Sequence, residues 1–434
     1  MKVSHLADAM LAGVWVQQEI TERVLQVVKT PRRWVPSLVR RTILAFPDHR
    51  PLRSVLCQFL MTDDSLRSRA CDDEFEVLAY SGNDEFDNHR FDDSARRPVR
   101  WQTFGQLAEF LDLEISELSW LADLRGLQRT APDGPLNHYH RRWQLRRRAV
   151  PRLIESPKPR LKSVQRRILQ CCLSRLPLHS AAHGFRKGRS VSTFLQHHAG
   201  QSCVVRLDLH DFFGFLSPIR LLRLLMMFGY SESVARTITA ICSTTTPEHT
   251  IERMPQNFVD RRQATTLQRL RSRHFPQGAP TSPAIANLIA WKLDQRLTGL
   301  ATTFGATYSR YADDLLFSGD EDFRRRAQWF TTCVAAVAMD EGFEVQHRKT
   351  RIMTRSVRQQ ACGLVLNHRP TVSRREYDVL KATLHNAVRF GPESQNRSRH
   401  SGFRQHLLGR INYVRQWNPA RAVRLMALFD SIRW

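Results

Sequence analysis

The sequence lacks the features that would place it in several large classes of protein. Its eight cysteines include no CxxC pair, a spacing that argues against a zinc module, and nothing indicates a disulfide framework. No stretch approaches the ~18 consecutive apolar residues of a membrane-spanning helix, and no cleavable signal peptide is apparent. We therefore expect a protein of the reducing cytoplasm that makes no contact with a membrane.

Acidic residues are scarce relative to basic ones, except in one segment. The 434-residue chain carries 66 Lys and Arg against 41 Asp and Glu, a formal net charge of +25, so a polyanionic partner is the first expectation. A solvated basic surface and contact with an anionic membrane are the alternative explanations. Residues 62–93 reverse the balance, with 11 acidic and 3 basic side chains, and are predicted to form a linker or a mobile loop.

Two short segments hold carboxylates in a pattern typical of phosphoryl transfer. Asp313 and Asp314 close the tetrapeptide Tyr311–Asp314 between two strand-like runs, and Asp208 ends the strand-like run Val204–Asp208 about a hundred residues earlier. Three convergent carboxylates suit two Mg2+ ions, which prefer oxygen ligands and clamp the attacking and leaving oxygens of the reaction. The alternative for an isolated Asp-Asp pair is the solvated tip of a β-hairpin.

A loop that leads into a helix lies between these two segments. The run Phe275–Pro283 predicts a turn followed by a helix, with Ser282 as N-cap and Pro283 in the first helical position. Gly278 would allow the backbone to approach a bound nucleotide closely, and a helix N-terminus favours an anionic ligand. Alone, the run is also compatible with an ordinary capped loop.

These segments belong to a series whose order resembles motifs A to E of a reverse transcriptase, and the similarity runs from about Thr103 to the C-terminus. Within this family the chain is most similar to bacterial retron reverse transcriptases, through Leu153–Lys162 and His183–Ser190. The motif segments, in order, are Asp208–Phe213, Pro276–Gly278, Tyr311–Asp314, Gly342–Phe343 with Lys349–Thr350, and Gly363–Asn367.

Two retron signatures are incomplete in this sequence. The NAxxH stretch of the family falls on Phe194–His198 and keeps only His198, and the VTG triplet falls on Ala361–Gly363 and keeps only Gly363. Both signatures are tied in the family to the handling of its own structured RNA. Recognition of a cognate RNA is therefore less firmly implied than polymerisation.

The resemblance implies an α+β fold, namely the right-hand polymerase fold with fingers, a palm of antiparallel sheet plus helices, and a helical thumb. Residues 1–100 would form an N-terminal helical extension containing the acidic linker 62–93, residues 101–365 the fingers and palm, and residues 366–434 a basic thumb. In this last region the apolar periodicity predicts helices at about Arg374–Val388, Phe403–Trp417 and Pro419–Ile432.

The resemblance also assigns roles to individual residues. Asp208, Asp313 and Asp314 would be catalytic and would bind two Mg2+ ions, whereas Asp211 would not be a metal ligand. The residues that would bind the incoming dNTP are Arg148 (or Arg147), Arg152, Phe213 (rather than Phe212), Gln277 and Lys349. The candidates for binding nucleic acid are Arg186, Lys187, Arg189 and His198, together with Arg404, Arg410 and Arg415 on the exposed face of a predicted thumb helix.

Two of the nucleotide-binding candidates have more specific roles. The ring of Phe213 would exclude the ribose 2′-OH and so select deoxynucleotides, whereas a ring used only for packing would give no sugar preference. Lys349 lies where the family places a candidate general acid for the pyrophosphate leaving group. A surface lysine that closes a strand is the alternative explanation for Lys349.

By the same resemblance, the protein would copy part of a structured noncoding RNA into DNA, with dNTPs as substrates. It would prime from an internal guanosine 2′-OH, leave a branched RNA and DNA product, and act in anti-phage defence, with an effector or toxin protein as a candidate partner. The 67 residues after Asn367 lack the acidic cluster of a nuclease domain, so removal of the RNA template would need a separate RNase H.

Two alternatives stay open on the sequence alone. One is another bacterial reverse transcriptase, intron-derived or from a defence locus, with conventional 3′-OH or protein priming. The other is a noncatalytic RNA-binding scaffold that sequesters an effector. The presence of Asp208, Asp313 and Asp314 argues against the scaffold.

Overall fold

The chain divides into two compact units, residues 1–97 and residues 98–434. The computed structural model describes residues 2–11, 15–28, 32–46, 51, 53–63, 65–66, 99–130, 132, 134–135, 137–146, 149–255 and 262–434. Most of the acidic segment 62–93 lies outside these residues, and so do Arg147 and Arg148. The predictions made for them are therefore not addressed by the structure.

The described residues of the first unit are mainly helical, as the sequence predicts. Its core is formed by apolar side chains that recur at helical spacing, such as Ile20, Val24 and Val27 on one helix. The described helices of this unit are Lys2–Leu11, Gln17–Val27, Val35–Ala45 and Arg53–Thr62.

A four-stranded antiparallel sheet lies at the centre of the second unit. Its strands are β3 (Cys203–Asp208), β4 (Ala306–Tyr311), β5 (Asp314–Gly319) and β6 (Arg351–Thr354), in the spatial order β4-β5-β3-β6. The two middle strands are almost wholly buried, which explains why they are nearly continuous apolar runs.

The two faces of this sheet contact different cores because side chains alternate along a strand. Val205 of β3 and Phe317 of β5 pack into the large core formed with the surrounding helices. Val204 of β3 and Leu316 of β5 pack into a second core shared with the C-terminal helices. The sheet therefore connects the two hydrophobic cores of this unit.

A second sheet is the two-stranded hairpin β1 (Tyr139–Arg146) and β2 (Ala149–Pro157). Three short antiparallel strands, β7 (Gln360–Ala361), β8 (Leu364–Val365) and β9 (Thr371–Val372), precede the C-terminal helices. The other described helices are Phe104–Leu111, Ile115–Ala122, Pro159–Cys171, Val191–Gln196, Pro218–Met227, Glu232–Cys242, Glu248–Glu252, Arg262–Arg271, Ser282–Ile289, Trp291–Thr303 and Glu321–Asp340.

The three C-terminal helices confirm the boundaries predicted from periodicity to within two residues. They span Arg374–Phe390, Phe403–Trp417 and Pro419–Asp430. The last helix starts at a proline and is capped by the side chain of Asn418, which accepts a hydrogen bond from the backbone N–H of Arg421. The arrangement of helices and antiparallel sheets is that of an α+β protein.

Two further observations concern the chemistry expected of the whole chain. Within the ranges that the structure describes, no helix combines the length and the apolar character needed to cross a bilayer. The seven described cysteines are all free thiols, in agreement with the absence of a disulfide framework in the sequence.

Candidate active site

The three aspartates predicted to be catalytic meet at one end of the central sheet. Asp208, the last residue of β3, stands directly opposite Asp314, the first residue of β5. Strands β4 and β5 are joined by the two-residue turn Ala312–Asp313, in which Ala312 has a left-handed backbone with φ +57°. This turn supplies the change of direction that Asp313 needs to share a site with its neighbour. The backbone N–H of Leu209 donates to the carbonyl oxygen of Asp313 at 2.8 Å, which ties the turn to β3.

The carboxylates interact electrostatically. Burial and the neighbouring charge of Asp208 raise the pKa of Asp313 above its usual value. The ammonium of Lys349 lies 2.9 Å from both carboxylate oxygens of Asp208, and the guanidinium of Arg206 lies 2.7 Å from Oδ1 of Asp314. Two of the three carboxylates thus have a cation beside them, and the pKa of the third is raised by its burial and by the charge of Asp208.

Lys349 reaches Asp208 because its segment runs alongside the end of β3. The backbone N–H of Gln346 donates to the carbonyl oxygen of Asp208 at 2.7 Å, and that of His210 donates to Glu344 at 2.7 Å. Lys349 then lies on the short 3-10 turn His347–Lys349. The Lys349 side chain therefore contacts the carboxylate of Asp208, in addition to its position just before strand β6.

The fit of this site to Mg2+ rests on the chemistry of its donors. Among the described residues, no group of three or more His, Cys, Asp or Glu side chains is arranged to hold a metal ion as it stands. Mg2+, however, is usually bound through one or two carboxylates, with substrate phosphates and waters completing its octahedron. Asp208 and Asp313 provide two hard oxygen donors whose mutual repulsion a divalent cation would relieve. The donor set therefore fits Mg2+.

A buried ion pair supports the turn that carries Asp313. Arg310 and Asp294 have fully buried side chains and form two hydrogen bonds of 2.7 Å, from Nε to Oδ1 and from Nη2 to Oδ2. Arg310 also donates through Nη1 to the carbonyl oxygen of Ala312 at 3.1 Å. The hydroxyl of Tyr308 donates to Asp294 at 2.8 Å. The guanidinium thus holds the turn from inside the protein.

The segment after β3 separates the two phenylalanines that the sequence left as candidates for sugar selection. Phe212 is buried and its ring stacks on that of Phe343, with centroids 5.7 Å apart. Phe213 is only partly buried, so it is the ring available to a ligand. Asp211 forms an ion pair of 2.9 Å with Arg269.

The loop that leads into the helix Ser282–Ile289 differs in two details from the sequence prediction. The helix begins one residue earlier than predicted, so Thr281, not Ser282, occupies the N-cap position and Pro283 occupies the second helical position instead of the first. The Ser282 hydroxyl donates to the carbonyl oxygen of Pro276 at 2.7 Å and closes the loop. Gly278 has φ +132°, and a Cβ atom there would lie 2.9 Å from the carbonyl oxygen of Glu155. Its close backbone approach is thus to β2 of the protein itself.

The same loop is joined to the β1–β2 hairpin by a buried charge cluster. The backbone N–H of Glu155 donates to the carbonyl oxygen of Gln277 at 2.9 Å, which fixes Gln277 beside the hairpin. The Glu155 carboxylate contacts Arg141 at 2.9 Å and His274 at 2.7 Å. Burial alone would raise the pKa of Glu155, but these two cations lower it to about 2. Arg152 lies exposed on β2, opposite Gln144.

The predicted nucleic-acid contacts near the central sheet fall into two groups. Arg186, Lys187 and Arg189 are exposed or partly exposed on one loop, and Arg186 is anchored by a hydrogen bond of 3.0 Å to the carbonyl oxygen of His179.

His198, in contrast, is fully buried, and its ring nitrogens lie 2.7 Å from the hydroxyls of Ser318 and Ser309. The expected contact of His198 with RNA is therefore not compatible with this structure, in which the ring links β4 to β5.

The arginines predicted on the middle C-terminal helix lie on its accessible side. Leu407, Ile411 and Val414 form the buried face, as the sequence predicts. Arg404 and Arg415 are exposed, and the Arg404 guanidinium lies 5.7 Å from the ring centre of Trp434. Arg410 lines a groove of about 410 Å³ between two of the C-terminal helices.

Several residues that shape the site were missed from the sequence. Arg206 lies two residues before Asp208, so alternation along a strand places both on the same face of β3 and could have indicated it. The thiol of Cys362 lies 3.9 Å from Oδ2 of Asp314, where the family signature has a threonine. Arg310 and Asp294 carry no local signal, because charged residues are most often exposed.

Comparison of the sequence with known proteins identifies relatives of this chain. Residues 148–381 match the sequence family described as reverse transcriptase (RNA-dependent DNA polymerase). The chain is 36% identical over 325 residues to the Retron Mx65 reverse transcriptase of Myxococcus xanthus, covering 75% of this chain and 70% of that protein.

Two further relatives are also retron reverse transcriptases. The chain is 35% identical over 341 residues to the Retron Mx162 reverse transcriptase of the same organism, with 75% and 66% covered. It is 28% identical over 235 residues to the Retron Ec86 reverse transcriptase of Escherichia coli, with 54% and 64% covered.

Proposed function

This chain belongs to the reverse transcriptase family and is an RNA-directed DNA polymerase similar to those of bacterial retrons, and we propose that Asp208, Asp313 and Asp314 form its polymerase site. The observation that carries the assignment is the register of the central sheet. It places Asp208 opposite Asp314, with Asp313 on the adjoining turn. A hairpin tip that was merely solvated would not need a third carboxylate from another strand.

Asp208 and Asp313 are the proposed direct ligands of two Mg2+ ions, and Asp314 is held by Arg206 beside them. When bound, the metal ions would supply Lewis-acid stabilisation of the attacking and leaving oxygens. Lys349 forms an ion pair with Asp208 in this structure. Once that carboxylate had a metal ion beside it in place of the ammonium, Lys349 would be free to donate a proton to pyrophosphate.

The incoming dNTP would be bound between the β1–β2 hairpin and the sheet. Arg152, with Arg148 four residues before it in the sequence, would contact the triphosphate, because guanidinium groups match phosphate oxygens in geometry. Gln277 would contact the nucleotide or the template. The partly exposed ring of Phe213 would stand against the ribose 2′-OH and exclude ribonucleotides.

The proposed polymerase fold implies a division of the second unit into fingers, palm and thumb. Residues 101–365 would form fingers and palm, and residues 366–434, with 13 Lys and Arg against 4 acidic residues, a basic thumb. Arg404, Arg410 and Arg415 would track the backbone of the template–product duplex, and Arg186, Lys187 and Arg189 would contact nucleic acid near the active site. Such contacts to phosphate are largely independent of sequence and weaken with salt.

The biological substrate we propose is the structured noncoding RNA of a retron, copied from an internal guanosine 2′-OH into a branched RNA and DNA product with a role in anti-phage defence. A separate RNase H would remove the template, and an effector or toxin would be a partner. The retron reverse transcriptases among the relatives support this proposal.

The polymerase assignment is tested with the purified chain on a primed RNA template. We expect Asp313→Asn to abolish dNTP incorporation, with RNA affinity unchanged, because the loss of one carboxylate removes a metal ligand without removing a basic contact. Asp378→Asn, on an exposed C-terminal helix position, is the matched control and should retain activity. A parent protein that binds RNA but never polymerises would instead support the scaffold alternative.

The retron assignment needs a different measurement. The chain is expressed with its neighbouring intergenic region, and a small DNA is sought that changes size after RNase and debranching treatment. Its presence in the parent and absence in Asp313→Asn/Asp314→Asn would support branched DNA synthesis. Incorporation on an added template without any branched product would favour another type of bacterial reverse transcriptase.

A further inference from the structure

Phe185 combines two features that hydrophobic packing does not explain. Its side chain is 48% exposed, and its backbone has φ +58°, a left-handed conformation that is uncommon for a bulky aromatic residue. Strained backbone of this kind persists where the surroundings impose it, and it concentrates at functional sites. The surroundings of Phe185 show what imposes it.

The segment that leads to Phe185 lies along the strand that carries the catalytic turn. The backbone N–H of His183 donates to the carbonyl oxygen of Arg310, and the N–H of Arg310 donates to that of Ala181, each at 2.8 Å. Ala182 forms a parallel bridge with Arg310. Residues 181–183 therefore pair with the edge of β4 in a short parallel bridge, immediately before the turn that contains Asp313.

Gly184 fixes the segment against the turn itself. A Cβ atom at this position would lie 2.6 Å from the backbone nitrogen of Ala312, so only glycine permits this approach. On the other side, the Asn287 side chain donates to the carbonyl oxygen of Gly184 at 2.8 Å and accepts from Arg310 at 3.0 Å. The backbone is held from both sides just before Phe185, which accounts for its strained conformation.

The ring of Phe185 is thereby brought to Phe213. The two ring centroids are 6.2 Å apart with an interplanar angle of 57°, a geometry in the range of favourable aromatic pairs. Phe213 also contacts Phe212, whose centroid lies 5.6 Å away and which is itself buried. Phe213 is therefore flanked by a buried ring and by the half-exposed ring of Phe185.

We infer that Phe185 is a positioning residue for sugar selection, which keeps the Phe213 ring in the orientation that excludes a 2′-OH. This inference rests on the proposed role of Phe213. Without Phe185, Phe213 would lose one of its two aromatic neighbours and could turn toward solvent into another rotamer. The space that the 2′-OH needs would then open, whereas the carboxylates and the turn would keep their positions.

The test measures the ratio of kcat/KM for a dNTP to that for the matching rNTP, on a primed RNA template with the full chain. The variants are Phe185→Ala, Phe213→Ala, the double variant, and Phe185→Tyr, which keeps an aromatic ring. Phe390→Ala, at a more exposed aromatic position (61%) on a C-terminal helix, is the control. Melting temperature is measured for each variant, and Phe185→Leu replaces Phe185→Ala should the latter not fold.

We expect Phe185→Ala to lower the discrimination ratio about threefold to tenfold, the range expected for loss of one aromatic pair, mainly through better use of the rNTP. Phe185→Tyr and Phe390→Ala should keep the parent ratio. The double variant should discriminate no worse than Phe213→Ala, because Phe185 acts through Phe213.

The outcomes separate this inference from the function on which it rests. Should Phe213→Ala leave the ratio unchanged, the proposed role of Phe213 is wrong and the inference with it. A lowered ratio in Phe213→Ala beside an unchanged ratio in Phe185→Ala overturns the inference alone. Additive losses in the double variant would also overturn it, since they would show that Phe185 acts independently, as by contact with the template.

Discussion

The buried pair of Arg310 and Asp294 gives a prediction that separates support of the turn Ala312–Asp313 from stability of the fold. Asp294→Asn keeps the shape of the side chain but removes its charge, and it leaves the guanidinium of Arg310 without a counter-ion at 0% exposure. Breaking a buried pair by removing one partner costs about 3–5 kcal/mol, because the remaining charge is uncompensated. We therefore expect the free energy of unfolding to fall by about this amount.

Thermal unfolding measures the effect. At roughly 2–4 °C for each kcal/mol in proteins of this general size, with the lower end suited to a large unit, the melting temperature should fall by about 6–10 °C. Asp340→Asn is the matched control, because Asp340 pairs with Arg296 at 2.9 Å while 65% exposed. An exposed pair contributes about 0–1 kcal/mol, so the control should melt within about 2 °C of the parent.

A double variant then distinguishes the two roles of Arg310. Arg310→Met/Asp294→Leu removes both charges, and replacement of a buried pair by apolar residues is often neutral or stabilising. We expect its melting temperature to recover, but not its rate of dNTP incorporation, because the hydrogen bond from Arg310 to Ala312 is still missing. Recovery of both the melting temperature and the rate of incorporation would refute the proposed support of the turn. An unchanged melting temperature in Asp294→Asn would refute the energetic reasoning.

Two further predictions concern a proton donor and a buried imidazole. Lys349→Leu should lower the single-turnover rate by roughly a hundredfold, within the range of general acid catalysis, with RNA affinity retained; an unchanged rate would return Lys349 to the role of a surface residue. Burial lowers the pKa of His198 to about 3, so the unfolded chain binds a proton between about pH 6.5 and pH 3 that the folded chain does not. Stability from this group is complete above pH 6.5 and is lost as the pH falls, at up to about 1.4 kcal/mol per pH unit. Denaturant unfolding at several pH values should show a shallower acid dependence in His198→Asn, and equal slopes would contradict the assignment.

Local signals in the sequence predicted the helices and the hairpin that carries Asp313 because the forces that form them are local. The C-terminal helices follow apolar periodicity, and Phe403–Trp417 ends where Asn418 and Pro419 begin the next helix. The hairpin that carries Asp313 is a short turn between two strand-like runs. Its approach to Asp208 was inferred from the chemistry that three carboxylates suggest and from the resemblance to a family, since strand register between distant segments has no local signal.

His198 shows why the remaining contacts could not be predicted. The two hydroxyls that its ring contacts belong to Ser309 and Ser318, more than a hundred residues along the chain, and both are small polar residues within strands. A histidine at the end of a short helix gives no indication of such partners. Its interpretation as an RNA contact followed the family signature, whereas the position that it occupies here is decided by packing of the sheet.

The buried ion pair that supports the turn Ala312–Asp313 and the cations that pair with the carboxylates differ in their exposure to solvent. This difference bears on the proposed binding of metal ions. The ion pair of Arg310 with Asp294 is fully buried and acts on a backbone oxygen, so metal binding need not disturb it. Lys349 and Arg206, which pair with the carboxylates, have side chains 54% and 31% exposed. Under the proposed assignment, the partly exposed ammonium of Lys349 would turn to solvent when a divalent cation binds Asp208, whose own side chain is only 9% exposed. The turn is thus held from within the protein, while the two cations beside the carboxylates are partly exposed.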